Sequence, residues 1–350
     1  MKATVYVEPR KVEIQDVEEP AIKKPTDAVI RVLRACVCGS DLWFYRGIQQ
    51  FYAPGTVVGH EAIGIVDSVG SEVTNFKPGD FVIVPFTHGC GHCVACKNGF
   101  DGNCMNDSYA DSSTTGYQAE YLRTQNANWA MIKVPGQPSD YSDEQLNDLL
   151  TLADVMATGY HAAASAEVKK GDTVAVIGDG AVGLCGVIGA KLRGAAKIIL
   201  LSHHEDRVKL GREFGATDIV ASKGDQAIKD VLALTEENAG ADAVLECVGA
   251  TSAIEQAGKI ARPGAVVGWV GVPQTEPSSN AMFNKNVGLR GGIAPVTTYD
   301  KNVLFKAVLD GEIHPGKVFT KRFTLDDVNK AYQAMDQREA IKSLLIVADK

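Results

Sequence analysis

The sequence has no apolar run long enough to span a bilayer, no internal repeat and no low-complexity tract. It also lacks a surplus of positive charge. Its 35 lysines and arginines stand against 43 aspartates and glutamates, a formal net charge of −8. The first absence argues against a membrane partner. The charge argues against a nucleic-acid partner, which needs a basic surface. No secretory signal pattern is read at Met1-Lys2-Ala3-Thr4-Val5, which runs straight into a strand-like stretch. Eight cysteines in 350 residues do not make a small disulfide scaffold, so the expected setting is a reducing one, the cytoplasm. That length allows two domains, each with its own core.

What is present begins with Gly89-Cys90-Gly91-His92-Cys93-Val94-Ala95-Cys96, closed by Cys104. The four cysteines are separated by two, two and seven residues. Glycine and polar residues between them let a tight loop turn four thiolates toward one point, as a tetrahedral zinc requires. An iron–sulfur cluster also uses two-residue gaps, and a disulfide pair is the plainer alternative.

The chain to about residue 135 reads as β-rich. Val29–Leu33, Ala62–Val66 and Phe81–Val84 are short apolar or alternating runs, the last one led in by the turn Lys77-Pro78-Gly79-Asp80. Pro135-Gly136-Gln137-Pro138 marks a boundary, and a helix is expected from about Asp143. From about Lys170 strands and helices alternate. Thr173–Ile177, Lys197–Leu201, Thr217–Val220, Asp242–Glu246 and Ala265–Val270 read as strands, with helices over Ala181–Arg193 and Asp206–Phe214. This rhythm predicts parallel βαβ units and a doubly wound sheet.

Gly178-Asp179-Gly180-Ala181-Val182-Gly183 follows the strand Thr173–Ile177 and opens the next helix. It is a Gly-x-Gly-x-x-Gly dinucleotide fingerprint: Gly178 for the turn, Gly180 for the approach of a pyrophosphate, Gly183 for close helix–strand packing. A glycine-rich turn is the plain alternative, and the βαβ context speaks against it. An NAD site places a carboxylate at the end of the following strand. Ser202 stands there, 19 positions after Gly183, with His203, His204 and Arg207 beyond it. A hydroxyl with imidazoles and a guanidinium nearby predicts NADP, with NAD the alternative. The two histidines also read as solvent-facing loop residues.

Three further segments join these. They are Cys36-Val37-Cys38-Gly39-Ser40-Asp41, Gly59-His60-Glu61 and Ala153-Asp154-Val155-Met156-Ala157-Thr158-Gly159-Tyr160-His161. Together with the cysteine loop and the fingerprint, they resemble the zinc-dependent medium-chain alcohol dehydrogenases, and within them the bacterial secondary-alcohol branch. The resemblance runs over essentially the whole chain. It implies an α/β protein with a GroES-like catalytic domain over residues 1–152 and 290–350, carrying a structural-zinc loop at 89–104. A Rossmann domain with a doubly wound parallel sheet would span 153–289.

By position, the resemblance implies a catalytic zinc held by Cys38, His60 and Asp154, with Glu61 close enough to join it. Structural zinc would sit on Cys90, Cys93, Cys96 and Cys104, giving two zinc ions per subunit. Asp41 would orient His60 and Ser40 would relay the alcohol proton. Relatives carry a histidine three residues after that serine, where this chain has Trp43. The cofactor would touch Gly178, Gly180, Ala181, Val182, Gly183, Ser202, His203, His204, Arg207, Val248, Val270 and Val272, with Lys342 on its phosphates. Trp43, Phe44, Phe51, Tyr52, Tyr109 and Trp129 are candidates for the substrate pocket walls or for core packing.

The activity so implied is hydride transfer between NADP(H) and an alcohol or its ketone or aldehyde, in a homo-oligomer, dimer or tetramer. An NAD-dependent polyol or threonine-type dehydrogenase is the alternative within enzymes. A non-catalytic nucleotide-binding regulator is the alternative outside them.

Overall fold

The computed structural model describes residues 1–48, 52–106, 116–273 and 280–349. The chain forms two units, one of Met1–Asp154 with Pro295–Lys350 and one of Val155–Ala294. Phe51 and Tyr109 lie outside the described residues.

The first unit is built on a seven-stranded sheet. Its order runs Phe319–Thr324, Lys342–Ile346, Ala28–Cys36, Ala62–Val69, Phe81–Val84 and Ile132–Val134, with Tyr121–Thr124 paired beside Ala28–Cys36. Ala28–Cys36 is the organising strand. Eight of its nine residues are buried, which a run rich in valine, isoleucine and leucine sustains on both faces. It pairs antiparallel with Lys342–Ile346, so the end of the chain is laid against Cys36. The helix Asp143–Thr151 begins at a reciprocal cap: the Ser142 hydroxyl accepts from the Gln145 N–H at 3.2 Å, and the Gln145 side chain accepts from the Ser142 N–H at 2.9 Å.

The second unit is a six-stranded sheet, parallel throughout. In space its strands run Asp218–Val220, Lys197–Leu201, Thr173–Ile177, Ala241–Glu246, Ala261–Trp269 and Gly288–Gly291. Numbered along the chain this is third, second, first, fourth, fifth, sixth, the order of a doubly wound dinucleotide-binding sheet. Thr173–Ile177 lies at its centre, and its residues after Thr173 are all buried. Helix Ala181–Leu192 leaves that strand through the glycine turn. A Cβ on Gly183 would lie 1.9 Å from the Gly178 carbonyl oxygen, so only glycine lets the helix start that close to the strand end. No helix among the described residues is long and apolar enough to cross a membrane.

Candidate functional site

Cys90, Cys93, Cys96 and Cys104 converge. The sulfurs of Cys90 and Cys96 are 4.0 Å apart and those of Cys93 and Cys104 are 3.9 Å apart. A tetrahedron of sulfurs at ~2.3 Å from a zinc ion has edges of ~3.8 Å, so the set fits the ion, and the separations are far beyond a disulfide bond. Backbone N–H groups point at the sulfurs: Cys93 to Cys90 at 3.4 Å, Cys96 to Cys93 at 3.5 Å and Cys90 to Cys104 at 3.3 Å. The N–H of Cys96 is the largest cause holding the Cys93 thiol down to about 6, while burial pushes the Cys96 and Cys104 thiols up. Trp129 is packed beneath it. A Cβ on Gly91 would meet the indole at 2.7 Å, and the Lys301 ammonium lies 4.2 Å from the ring centroid. Trp129 therefore supports the cysteine loop. Phe44, also a candidate pocket wall, is buried against Tyr6 and Tyr52.

A second cluster forms within the same unit. Cys38 comes from the end of the organising strand, His60 and Glu61 from the turn entering Ala62–Val69, and Asp154 from beyond helix Asp143–Thr151. Gly59, with φ +94°, brings the chain so close to Gln118 that a Cβ would lie 2.4 Å from its side chain. The Cys38 sulfur is 3.4 Å from the Asp154 Oδ2, and the His60 Nε2 is 3.5 Å from the same oxygen. Ligands at ~2.0–2.3 Å from a tetrahedral ion stand ~3.4–3.6 Å apart, so these two separations fit zinc, and one oxygen of Glu61 joins the same cluster, with all four ligand atoms within 4.8 Å of one another.

The electrostatics of the triad ask for a cation. Burial, then the Asp154 charge, pushes the Cys38 thiol up, against the smaller lowering effects of the Lys342 charge and of the His60 hydrogen bond. Burial alone would lower the His60 pKa, yet the carboxylates of Asp41 and Asp154 hold it well above its ordinary value. Around the triad, the Asp41 Oδ1 lies 3.4 Å from His60 Nδ1, and its Oδ2 accepts from the Cys38 N–H at 2.9 Å. Gln118 donates to Asp41 at 3.3 Å and accepts from the Tyr332 hydroxyl at 3.0 Å. Ser40 is half-buried two residues after Cys38, and its hydroxyl does not cap the helix Asp41–Tyr45 it precedes. Trp43 is half-buried on that helix.

Lys342 stands elsewhere than on cofactor phosphates. It is fully buried, and its ammonium donates to Glu61 Oε1 at 2.7 Å and to the Val37 carbonyl at 3.2 Å. A buried carboxylate demands a buried partner, and that demand places the lysine. The Glu61 oxygen it holds is 3.9 Å from His60 Nε2, while the other oxygen is buried without a partner. Sequence spacing could not show this pairing.

In the second unit the glycine turn keeps the space a dinucleotide needs. A Cβ on Gly180 would meet no atom within 4 Å, so the backbone is open at the start of helix Ala181–Leu192, where N–H groups and the helix dipole favour phosphate. Val248 and Val272 are exposed, 41% and 40%, near the ends of the fourth and fifth strands. Gly249 and Gly271 bring these two segments together: a Cβ on Gly249 would lie 2.0 Å from the Val272 carbonyl oxygen. Glu246, which the sequence reading passed over, is fully buried and accepts from the N–H groups of Val248 and Gly249, each at 2.9 Å. The Val270 N–H donates to its backbone carbonyl at 3.0 Å.

At the strand end Ser202 is buried, and its hydroxyl donates to Asp179 Oδ2 at 2.8 Å. Arg207 donates to Asp179 Oδ1 at 2.9 Å. His203 and His204 stack with ring centroids 4.1 Å apart. His161, the last residue of the Asp154 segment, is no ligand. It is buried in helix Val155–Ser165 beside the Ser165 hydroxyl, and burial lowers its pKa to about 4.

Comparison with known proteins adds the following. Residues 24–136 match the alcohol dehydrogenase GroES-like domain, and residues 181–302 match the zinc-binding dehydrogenase domain. The chain is 33% identical to the zinc-type alcohol dehydrogenase-like protein AdhB of Bacillus subtilis (strain 168), over 99% of this chain and 100% of that one. It is 29% identical to an alcohol dehydrogenase of Cupriavidus necator, over 99% and 98%. Among solved structures, alcohol dehydrogenase TADH from Thermus sp. ATN1 superposes with a TM-score of 0.88 at 31% identity, over 99% of this chain and 100% of that one. Zinc-dependent alcohol dehydrogenase 2 from Streptococcus pneumonia gives 0.89 at 32%, over 100% of each.

Proposed function

Because this chain belongs to the zinc-type alcohol dehydrogenase family, an oxidoreductase family acting on CH–OH groups of small alcohols, we propose that it transfers hydride between an alcohol and a nicotinamide cofactor, with two zinc ions per subunit. The observation that carries the reading is the triad of Cys38, His60 and Asp154, spaced as zinc ligands. Zinc held there would supply Lewis acidity to the substrate C–O bond, and a nicotinamide cofactor would supply the hydride chemistry. Cys90, Cys93, Cys96 and Cys104 hold the second ion in a closed site.

The chain's own groups do the rest. Asp41 fixes the orientation of His60 through Nδ1, which leaves Nε2 toward the ion. Lys342 holds Glu61 by one oxygen and balances its charge, which keeps that carboxylate beside the triad. Ser40 relays the alcohol proton, a role supported by its place two residues after Cys38 and by a hydroxyl that is not spent on helix capping. Trp43 cannot pass the proton on, so exit runs through water or the cofactor ribose.

The finer cofactor choice turns on the strand end. A neutral Ser202 with Arg207 nearby supports NADP. The Asp179 carboxylate bonded to both supports NAD, and this second observation outweighs the first, so NAD is the cofactor we carry forward. A reducing cytoplasm is supported by cysteines none of which is in a disulfide among the described residues, and a homo-oligomer by the exposed strand Gly288–Gly291 at the end of its sheet.

The test is elemental analysis of purified protein with a panel of primary alcohols, secondary alcohols and ketones assayed with both cofactors. Two zinc ions and cofactor-dependent turnover are expected, and Cys38→Ser should lose one ion and all turnover. A zinc-replete protein that turns over no alcohol or carbonyl with either cofactor would defeat the reading. Light scattering on the same sample reads the assembly.

A further inference from the structure

The strand that should end in an acidic residue ends in Ser202, yet a carboxylate stands at that place. It is Asp179, the residue between the first two glycines of the fingerprint. Gly178, at φ +110°, turns the chain so that the Asp179 side chain reaches the end of the neighbouring strand. There both of its oxygens are used. Oδ2 accepts from the Ser202 hydroxyl at 2.8 Å and Oδ1 from the Arg207 guanidinium at 2.9 Å. The Arg207 and Asp179 side chains are only 13% and 15% exposed, so the pair is sheltered from solvent screening. One ring nitrogen each of His203 and His204 lies within 4.8 Å of an Asp179 oxygen.

This arrangement changes what the strand end can hold. Arg207 is the permanent positive charge expected to receive a 2′-phosphate, and Asp179 cancels it. The single hydroxyl hydrogen of Ser202 is donated to the same carboxylate. A 2′-phosphate, at nearly two negative charges, would have to sit against Asp179 with no uncommitted charged donor among these residues. A ribose with two free hydroxyls offers two O–H donors, the complement of a carboxylate.

We propose that Asp179 is the residue that sets cofactor preference, toward NAD, by supplying from the glycine turn the carboxylate that the strand end lacks. The proposal rests on the dinucleotide reading of this turn. It assigns Arg207 and Ser202 to holding Asp179 in place, and it makes the preference depend on one charge.

The experiment measures binding of 5′-AMP and of adenosine 2′,5′-bisphosphate by calorimetry, and kcat/KM for NAD and NADP, on the zinc-loaded enzyme. Asp179→Asn and Asp179→Ser are compared with wild type. Each is expected to raise the NADP-to-NAD ratio of kcat/KM on the order of 10- to 100-fold, with the same shift in the two nucleotide affinities. Adding Arg207→Ala to Asp179→Asn should take most of that shift back, because the freed guanidinium is what the phosphate gains. A wild-type preference for the 2′,5′-bisphosphate, or an equal loss for both nucleotides in both variants, would overturn the selector and leave the dinucleotide site standing. Failure of the wild type to bind either nucleotide would overturn both.

Discussion

His161 carries a pH dependence that can be worked out. The imidazole is buried in helix Val155–Ser165, and burial lowers its pKa to about 4, with the Arg290 charge adding to the effect. In the unfolded chain it titrates near 6.5. Between those values the unfolded state binds a proton that the native state refuses, so stability falls as pH falls. The full window of about 2.5 units corresponds to roughly 3 kcal/mol at ~1.4 kcal/mol per unit. Between pH 7 and pH 5 the loss is about 2 kcal/mol. His161→Gln keeps a polar group beside Ser165 and removes the titration. Urea unfolding at pH 7 and pH 5 reads the result. Wild type is expected to lose about 2 kcal/mol more than the variant between the two, whatever other groups titrate. Equal losses would show that the imidazole is already charged, or solvated, in the native protein.

Three further outcomes follow from the two units. Lys342→Met leaves the Glu61 carboxylate buried without its partner and should cost about 3–5 kcal/mol by chemical denaturation, most of it regained when Glu61→Gln is added. Gly183→Ala drives a Cβ into the Gly178 carbonyl, so 5′-AMP affinity measured by calorimetry should fall at least tenfold while both zinc ions remain bound. Ser40→Ala should slow single-turnover alcohol oxidation about 100-fold or more with cofactor affinity unchanged, and an unaltered rate would remove the serine from the proton path.

The local signals were legible for physical reasons. Thr173–Ile177 and Lys197–Leu201 lie where their apolar runs predict, because a strand covered on both faces must be apolar throughout. The Cys90 to Cys104 loop could be read because its four cysteines lie within one short stretch. The Gly178–Gly183 turn could be read because the steric need for glycine is local. What stayed hidden was pairing over distance. Asp179 reaches Ser202 and Arg207 across 23 and 28 residues, and Lys342 reaches Glu61 across 281. No spacing rule links such positions, since charge finds its counter-charge through the fold. That is why a strand end read as lacking an acid has one, and why a lysine set on phosphates by resemblance lies in the core. Trp129 is a case of the same kind, an aromatic whose partner is a glycine loop that its own neighbours do not announce.

The separation of Glu61 from Lys342 also has a meaning in time. A ribosome adding ~5–20 residues per second makes the lysine roughly 14–56 s after the glutamate, given the 281 residues between them. Throughout that interval the nascent chain carries Cys38, His60, Glu61 and, for most of it, Asp154, with no counter-charge for the glutamate. A metal ion met then would find four candidate ligands where the finished protein restrains one of them. The late strand Lys342–Ile346 is thus the last piece to reach this cluster in the order of synthesis, and its lysine is what ties back Glu61 by one oxygen in the folded chain.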